Sequence, residues 1–156
     1  MSSTKVLQRV NAPRAAVYRF ILDARAVAQW MVPDGMTSEI HRFEPREGGS
    51  FRISLTYESP DARGKTSAHT DSYHGRFVTL VPDERIVETI EFETDDPAMQ
   101  GEMTVTITLR DVDGGTEVRA VHEPLPPALS PRDNETGWRM SLAKLAALVE
   151  SESSTA

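Results

Sequence analysis

The segment SPRDNETGWRMSLAKLAALVE, residues 130–150, is the one long stretch of the chain with clean helical periodicity. Steps of three and four residues from Trp138 bring three more apolar side chains onto one face, namely Leu142, Leu145 and Val149. Ser130 is predicted to cap this helix and Pro131 to take its first position, because both residue types favour those places. An amphipathic helix of this kind needs a wide apolar partner, and the remaining chain is expected to supply it.

The charge balance of the chain excludes several classes of partner. It carries 17 Lys and Arg residues against 24 Asp and Glu residues, a formal net charge of −7. Nucleic acids and anionic lipids are therefore not expected partners, because binding to phosphate groups depends on clustered positive charge. The chain contains no cysteine, which excludes disulfides, thiolate catalysis and cysteine-based metal sites.

Length and hydropathy predict a single soluble domain. The 156 residues suffice for one hydrophobic core, assigned to residues 1–150, and a tail at residues 151–156 is expected to fray. No apolar run reaches membrane-spanning length, so no membrane insertion is expected, and the N-terminus lacks the apolar centre of a signal peptide. We expect a cytoplasmic protein that is either a monomer or a homodimer.

Between the first helical region and the last helix, the apolar pattern changes to the period of two that is typical of strands. The clearest run alternates four apolar residues with polar ones, namely Phe51, Ile53, Leu55 and Tyr57. Gly75 interrupts a later strand and suggests a bend or bulge, and the polar segment 59–68 is predicted to be a loop. The predicted strands are residues 5–10, 38–43, 51–58, 70–81, 85–93, 103–109 and 116–122.

Two short helices are predicted between the first two strands. Asn11 is expected to cap the first of them, and Asp23 is expected to cap the second, which spans residues 24–31. Consecutive strands with one apolar face form a sheet that must curl and be covered. We therefore predict an α+β helix-grip fold, in which a curved antiparallel sheet of about six to seven strands wraps around the C-terminal helix.

Six motifs and the region of Trp30 give the chain a resemblance to a known family. The motifs are NAPRAAVY at residues 11–18, EPREGGSFR at 44–52, HGRF at 74–77, VPDERIV at 81–87, GGTEV at 114–118 and DNETGW at 133–138. With these motifs the chain resembles the START-like (SRPBCC) superfamily, which includes polyketide cyclases and the birch-pollen-allergen fold. Within it, the chain is most similar to homologues of the activator of the heat-shock protein 90 ATPase. The resemblance implies the helix-grip fold and a cavity between the sheet and the last helix.

The implied cavity would be lined by inward-facing side chains of the sheet and covered by the last helix. On the sheet, the predicted lining is Phe51, Ile53, Leu55, Tyr57, Tyr73, Phe77, Ile90, Phe92, Val105 and Ile107. Near one end of the sheet it is Trp30, Met31 and Met36, and on the last helix it is Asn134, Trp138, Ser141, Leu142 and Leu145. The alternative for most of these residues is ordinary core packing, because pockets and cores use the same residue types.

Glu88 is the most unusual residue of the predicted inner face. Alternation places it on the same face as Ile86 and Ile90, where an ionised carboxylate is costly without a partner. One interpretation is a general acid or base with a raised pKa, and another is an anchor for a polar group of a ligand. The alternative is a structural role, in which a bulge turns Glu88 outward or a polar or charged partner satisfies it.

His122 ends a predicted strand on the inner face and is the second candidate for polar chemistry. If the last three strands pair as simple hairpins, Glu88 shares a row with Ile107 and Ala120, one row away from His122. The two side chains would then be too far apart for a hydrogen bond but able to contact the same ligand. The alternative is a histidine bonded to backbone or water. Tyr73 is a further candidate to orient a ligand, through its hydroxyl group.

The sequence predicts neither a metal site nor a cofactor. His69 and His74 stand at a spacing that places their rings on opposite faces of a strand, so we predict no metal site. No phosphate loop, dinucleotide fingerprint or nucleophile elbow occurs, and no cofactor is expected. Gly137 lies inside the last helix, where glycine costs about 1 kcal/mol relative to alanine. We expect it to allow a close contact or to leave room beside Trp138.

Three functions are consistent with the sequence. The first is binding of a small apolar or amphipathic molecule, with polar contacts from Glu88, His122, Tyr73 and Asn134. The second is an enzyme of the cyclase, dehydratase or hydrolase type in the same cavity, with Glu88 or His122 as acid or base. The third, implied by the resemblance, is a chaperone-interaction or stress-response module. We do not expect these 156 residues to contain the separate amino-terminal domain of the eukaryotic co-chaperone, so a chaperone partner is the least expected of the three.

Overall fold

A computed structural model describes residues 2–58 and 70–154 of the chain. The predicted loop at residues 59–68 lies outside these described residues. Within them, the elements in chain order are β1 Thr4–Val10, α1 Arg14–Ile21, α2 Ala24–Trp30, β2 Met36–Phe43, β3 Ser50–Tyr57, β4 Thr70–Val81, β5 Arg85–Phe92, β6 Glu102–Val112, β7 Gly115–Glu123 and α3 Pro131–Ser154. This order confirms the predicted sequence of one strand, two short helices, further strands and one long helix.

The strands form one antiparallel sheet of seven strands, in the order β1-β7-β6-β5-β4-β3-β2. From β2 onward each strand pairs with the next one in the chain, and β1 pairs with β7 at the far edge. Two register shifts, between Ile40 and Arg42 and between Phe77 and Thr79, interrupt the ladders. Shifts of this kind bend strands and increase their twist. The sheet curls around α3, which confirms the predicted helix-grip fold.

The two short helices begin at different kinds of cap. Pro13 holds the cap position of α1 and no side chain caps this helix, so the predicted cap at Asn11 is wrong. Proline suits this place because it has no N–H group to satisfy and its φ is already fixed. Asn11 instead donates its backbone N–H to Glu150 Oε2 at 2.8 Å. The predicted cap of α2 is confirmed, since Asp23 accepts two backbone N–H groups of the first turn.

The long helix α3 begins as predicted but ends later. Ser130 Oγ accepts the backbone N–H of Asp133 at 3.2 Å, which confirms the predicted cap. The helix continues to Ser154, so most of the segment that was expected to fray is helical. Its apolar stripe is fully buried at Leu142, Leu145 and Val149. Neither α3 nor any other helix of the described residues is both long enough and apolar enough to cross a membrane.

Gly75 lies where β4 approaches its neighbours most closely. A Cβ atom on this residue would lie 1.7 Å from the carbonyl oxygen of Thr89 and 2.7 Å from Cζ of Phe51. The bend or bulge that was predicted at Gly75 does not lie at this residue. The register shift of β4 lies two residues further along the strand, between Phe77 and Thr79. The glycine is therefore required by the close approach of the β5 backbone and of an aromatic ring.

Replacing Gly75 by alanine should lower the free energy of unfolding by about 3 kcal/mol, because the added methyl group displaces either the Thr89 backbone or the Phe51 ring. Urea unfolding followed by circular dichroism measures this change. Gly137→Ala is the matched control, since the nearest atom to its added methyl group is Pro33 Cγ at 3.7 Å, an ordinary contact. Equal losses of stability in the two variants would contradict this explanation of Gly75.

Candidate functional site

A cavity of about 120 Å³ lies between the inner face of the sheet and the first half of α3. It occupies the end of the sheet where β3 and β5 end and β4 and β6 begin. The predicted residues that line it are Met31, Leu55, Tyr73, Ile90, Phe92, His122, Asn134, Trp138 and Ser141. Gly137, expected to leave room in this region, lines it as well. The structure thus brings together the helix and sheet residues that the sequence analysis assigned to one end of the fold.

Other predicted lining residues do not reach the cavity. They are Trp30, Met36, Phe51, Ile53, Tyr57, Phe77, Glu88, Val105, Ile107, Leu142 and Leu145. Most belong to the packed core, where Trp30 is fully buried and donates its indole N–H to the carbonyl oxygen of Phe20 at 3.2 Å. The prediction fails for these residues because alternation identifies the inward face of a strand, whereas the cavity occupies only one end of that face.

Five lining residues were not predicted, namely Pro33, Asp71, Met103, Leu129 and Asp133. The sequence could have identified two of them. Asp71 and Met103 stand two residues before Tyr73 and Val105, and therefore lie on the same inward face of their strands. Pro33 and Leu129 lie in connecting segments, which have no periodicity to place them. Asp71 is a second acidic residue of the inner face and is 2% exposed.

His122 is the polar residue at the centre of the cavity wall. Its side chain is fully buried, and neither ring nitrogen has a hydrogen-bond partner within the described residues. The ring of Trp138 lies over it, with 4.5 Å between the ring centroids and 58° between the ring planes. Burial lowers the pKa of His122 from 6.5 to about 4, so the imidazole is neutral at pH 7. A neutral imidazole offers one donor and one acceptor, and neither is paired within the described residues.

The strand register brings Glu88 and His122 into one row, which corrects the predicted pairing. Glu88 pairs with Val105, and Val105 pairs with His122 on the next strand. The prediction that Glu88 shares a row with Ile107 and Ala120 is therefore wrong. It assumed simple hairpins, whereas the connection between β5 and β6 offsets the ladder by two residues. Two strand spacings, about 10 Å, separate the backbones of Glu88 and His122.

Glu88 is buried on the inner face of the sheet, although it does not line the cavity. It is 3% exposed, and its Oε1 atom has no hydrogen-bond partner within the described residues. The suggested bulge that turns it outward is therefore wrong, and no salt bridge satisfies it in the described part of the chain. Burial raises the pKa of Glu88 from 4.5 to about 8, so the carboxyl group is mostly protonated at pH 7. It lies one inward position from Ile90, which does line the cavity.

The remaining polar groups of the cavity belong to β4 and α3. Tyr73 donates its hydroxyl to Met31 Sδ at 3.3 Å, and its pKa is raised by burial and by the charge of Glu88. Asn134 donates its Nδ2 to Thr4 Oγ1 at 2.8 Å, and Thr4 pairs with His122 across the sheet. This bond fixes the first turns of α3 beside the histidine. Asp133 and Ser141 add a carboxyl and a hydroxyl group to the wall.

The described residues contain no group of three His, Asp or Glu side chains placed to hold a metal ion. His69 lies outside these residues, so the prediction that His69 and His74 do not bind a metal stays a prediction. Its partner in the sequence, His74, is engaged elsewhere, with its Nδ1 3.1 Å from Glu93 Oε2.

Known proteins resemble this chain over nearly its whole length. The model of the family described as "Activator of Hsp90 ATPase homolog 1-like protein" matches residues 11–150. A crystal structure from Chromobacterium violaceum is 34% identical, with a TM-score of 0.84 over 95% of this chain and 96% of that one. An AHSA1 protein from Silicibacter pomeroyi is 18% identical, with a TM-score of 0.79 over 97% and 99% of the two chains. No curated protein sequence matches the chain.

The buried pair predicts a specific pH dependence of stability. Glu88 has a raised pKa, so the folded state favours its neutral form. The stability that this form contributes is fully present below pH 4.5 and is lost as the pH rises through about 8. His122 has a lowered pKa, so its contribution is complete above pH 6.5 and is lost as the pH falls through about 4. Between pH 6.5 and 8 the Glu88 contribution alone changes, and the free energy of unfolding should fall by about 1–2 kcal/mol.

Urea unfolding of the wild type and of Glu88→Gln, at constant ionic strength, isolates this effect. The glutamine cannot ionise, so the difference between the two proteins should increase in favour of the variant from pH 6.5 to pH 8. If the free energies of unfolding of the two proteins change in parallel from pH 6.5 to pH 8, the Glu88 carboxyl group titrates in the folded protein as it does in the unfolded chain, which would contradict the prediction.

Proposed function

The chain belongs to the family of activator of Hsp90 ATPase homologue 1-like proteins, and from this membership we propose that it binds a small uncharged molecule. The molecule has an apolar ring and one polar group, and it occupies the cavity beneath the first half of α3. The observation that carries the proposal is the buried His122 ring, whose two nitrogens have no partner within the described residues. Buried polar atoms are almost always hydrogen-bonded in folded proteins, so a group from outside the chain is the natural partner.

The shape of the site favours a flat ring. Trp138 covers one side of His122, and apolar side chains such as Ile90 and Met103 form the surrounding wall. A cavity of about 120 Å³ approaches the size of the engineered protein cavity of about 150 Å³ that accepts benzene. Larger molecules require the opening between α3 and the sheet to widen.

The charges of the site favour an uncharged ligand. Asp71 and Asp133 line the cavity, and within the described residues no lysine or arginine does. His122 is neutral at pH 7 because burial lowers its pKa to about 4. A carboxylate ligand would therefore enter a largely buried site beside two acidic residues and meet no cationic partner among the described residues, which costs several kcal/mol.

The enzyme hypothesis has less support from the geometry. An acid or base must reach the proton that it transfers, within about 3 Å or through one water molecule. Glu88 has the raised pKa of such a group, yet it does not line the cavity. His122 does reach the cavity, but no carboxyl group hydrogen-bonds to it within the described residues to orient its ring. Binding without catalysis therefore accounts for more of the arrangement.

Phenol and toluene test the proposal, because they have similar size and differ in one hydrogen-bonding group. The protein is labelled with 5-fluorotryptophan, which gives one fluorine resonance for Trp138 in the cavity and one for Trp30 in the core. Phenol should shift the Trp138 resonance and leave the Trp30 resonance in place. Replacing His122 by phenylalanine should weaken phenol binding about tenfold, the value of one good hydrogen bond, and leave toluene binding nearly unchanged.

Benzoate supplies the charge control and should bind more weakly than phenol at pH 7.5. Phenol that shifts both tryptophan resonances equally, or that binds equally to the wild type and His122→Phe, would contradict the proposal. Native mass spectrometry of freshly purified protein adds an independent measurement, since a retained small molecule should be absent from the His122→Phe variant.

A further inference from the structure

Gly137 is the residue of α3 that the fold itself does not explain. It lies inside the helix, where glycine is the least favourable residue after proline because it lacks a side chain and loses the most backbone freedom. The other described glycines either have a positive φ, as at Gly35, Gly48, Gly101 and Gly114, or stand where a side chain cannot fit. A Cβ atom on Gly49, Gly75 or Gly115 would lie within 2.3 Å of a backbone oxygen.

The surroundings of Gly137 have room for a side chain. The nearest atom to an added Cβ is Pro33 Cγ at 3.7 Å, which is an ordinary van der Waals contact. Pro33 is itself held in place, because Lys144 donates Nζ to the carbonyl oxygen of Val32 at 2.7 Å and lies 3.1 Å from Asp34 Oδ1. The gap between Pro33 and α3 is therefore a fixed feature of the fold, and alanine would fit in it without moving the chain.

The bare backbone at Gly137 faces the cavity. Asn134 and Ser141, one helical turn before and after it, line the cavity on the same face of α3. The same cavity is lined by His122, which is fully buried and has no partner for either nitrogen in the described part of the chain. The cavity wall therefore includes both unpaired hydrogen-bonding atoms and a helix position that lacks a side chain for which there is room.

We propose that Gly137 is a ligand-binding residue that sets the size of the molecule held in the cavity. This inference rests on the proposed function. The polar group of the ligand bonds to His122, and the far edge of its ring lies against the bare helix backbone between Pro33 and Ser141. A methyl group at position 137 would occupy the space of that edge. The glycine thus contributes to binding while it weakens the helix.

This assignment predicts opposite changes in stability and affinity for one substitution. Gly137→Ala should raise the Tm by about 2 to 4 °C, because alanine is the better helix former and meets no clash. The same variant should bind phenol about tenfold more weakly, because the methyl group overfills the site. Its affinity for 2-naphthol, which reaches further from His122, should fall more than its affinity for phenol. Thermal unfolding and fluorine NMR titration measure these quantities.

Thr136→Ala is the matched control, because Thr136 is exposed on the neighbouring position of α3 and does not line the cavity. This change improves the same helix and should raise the Tm without altering the affinity for phenol or 2-naphthol. Equal phenol affinity in the wild type and Gly137→Ala would overturn the role of Gly137 and leave the proposed function standing. A lower Tm of Gly137→Ala would also overturn it, since the fold itself would then need the glycine. A wild type that does not bind phenol would overturn the proposed function and this inference together.

Discussion

The burial of one helical stripe against a curved sheet is the constraint on which this structure depends. Leu142, Leu145 and Val149 are each 0% exposed, and burial of side chains of this size contributes about 1.5–3 kcal/mol each. This tight contact lies in the second half of α3. The first half is held by a cap at Ser130 and by the bond from Asn134 to Thr4. The helix thus contacts the sheet tightly through this stripe, while the cavity lies between the sheet and the first half of α3.

Buried polar groups distinguish this cavity from a simple packing defect. His122 and Glu88 share a row of the inner face, and both carry atoms without a partner within the described residues. Leaving a buried donor or acceptor unpaired costs about 1–3 kcal/mol. Their shifted pKa values keep both groups mainly uncharged at pH 7, which avoids the larger cost of a buried charge. A core selected for stability alone would contain apolar residues at these two positions.

The fold tolerates wide divergence of sequence. The AHSA1 protein from Silicibacter pomeroyi keeps it at 18% identity. Such divergence is compatible with a fold that depends on the pattern of apolar positions, since many side chains of similar size satisfy the same pattern. Binding is a property of a site and not of a fold, so the proposed ligand would be selected by the residues that line the cavity.

The amino-acid sequence by itself determined the order of elements, the helix-grip arrangement and the inward face of each strand. It could do so because these properties depend on local periodicity and on capping residues such as Asp23 and Ser130. The tertiary structure alone decided the register that aligns Glu88 with His122, and the end of the sheet at which the cavity opens. Register depends on the length and course of the connections, and cavity position depends on where α3 stands away from the sheet. Both are relations between distant segments, and no local pattern of residues encodes them.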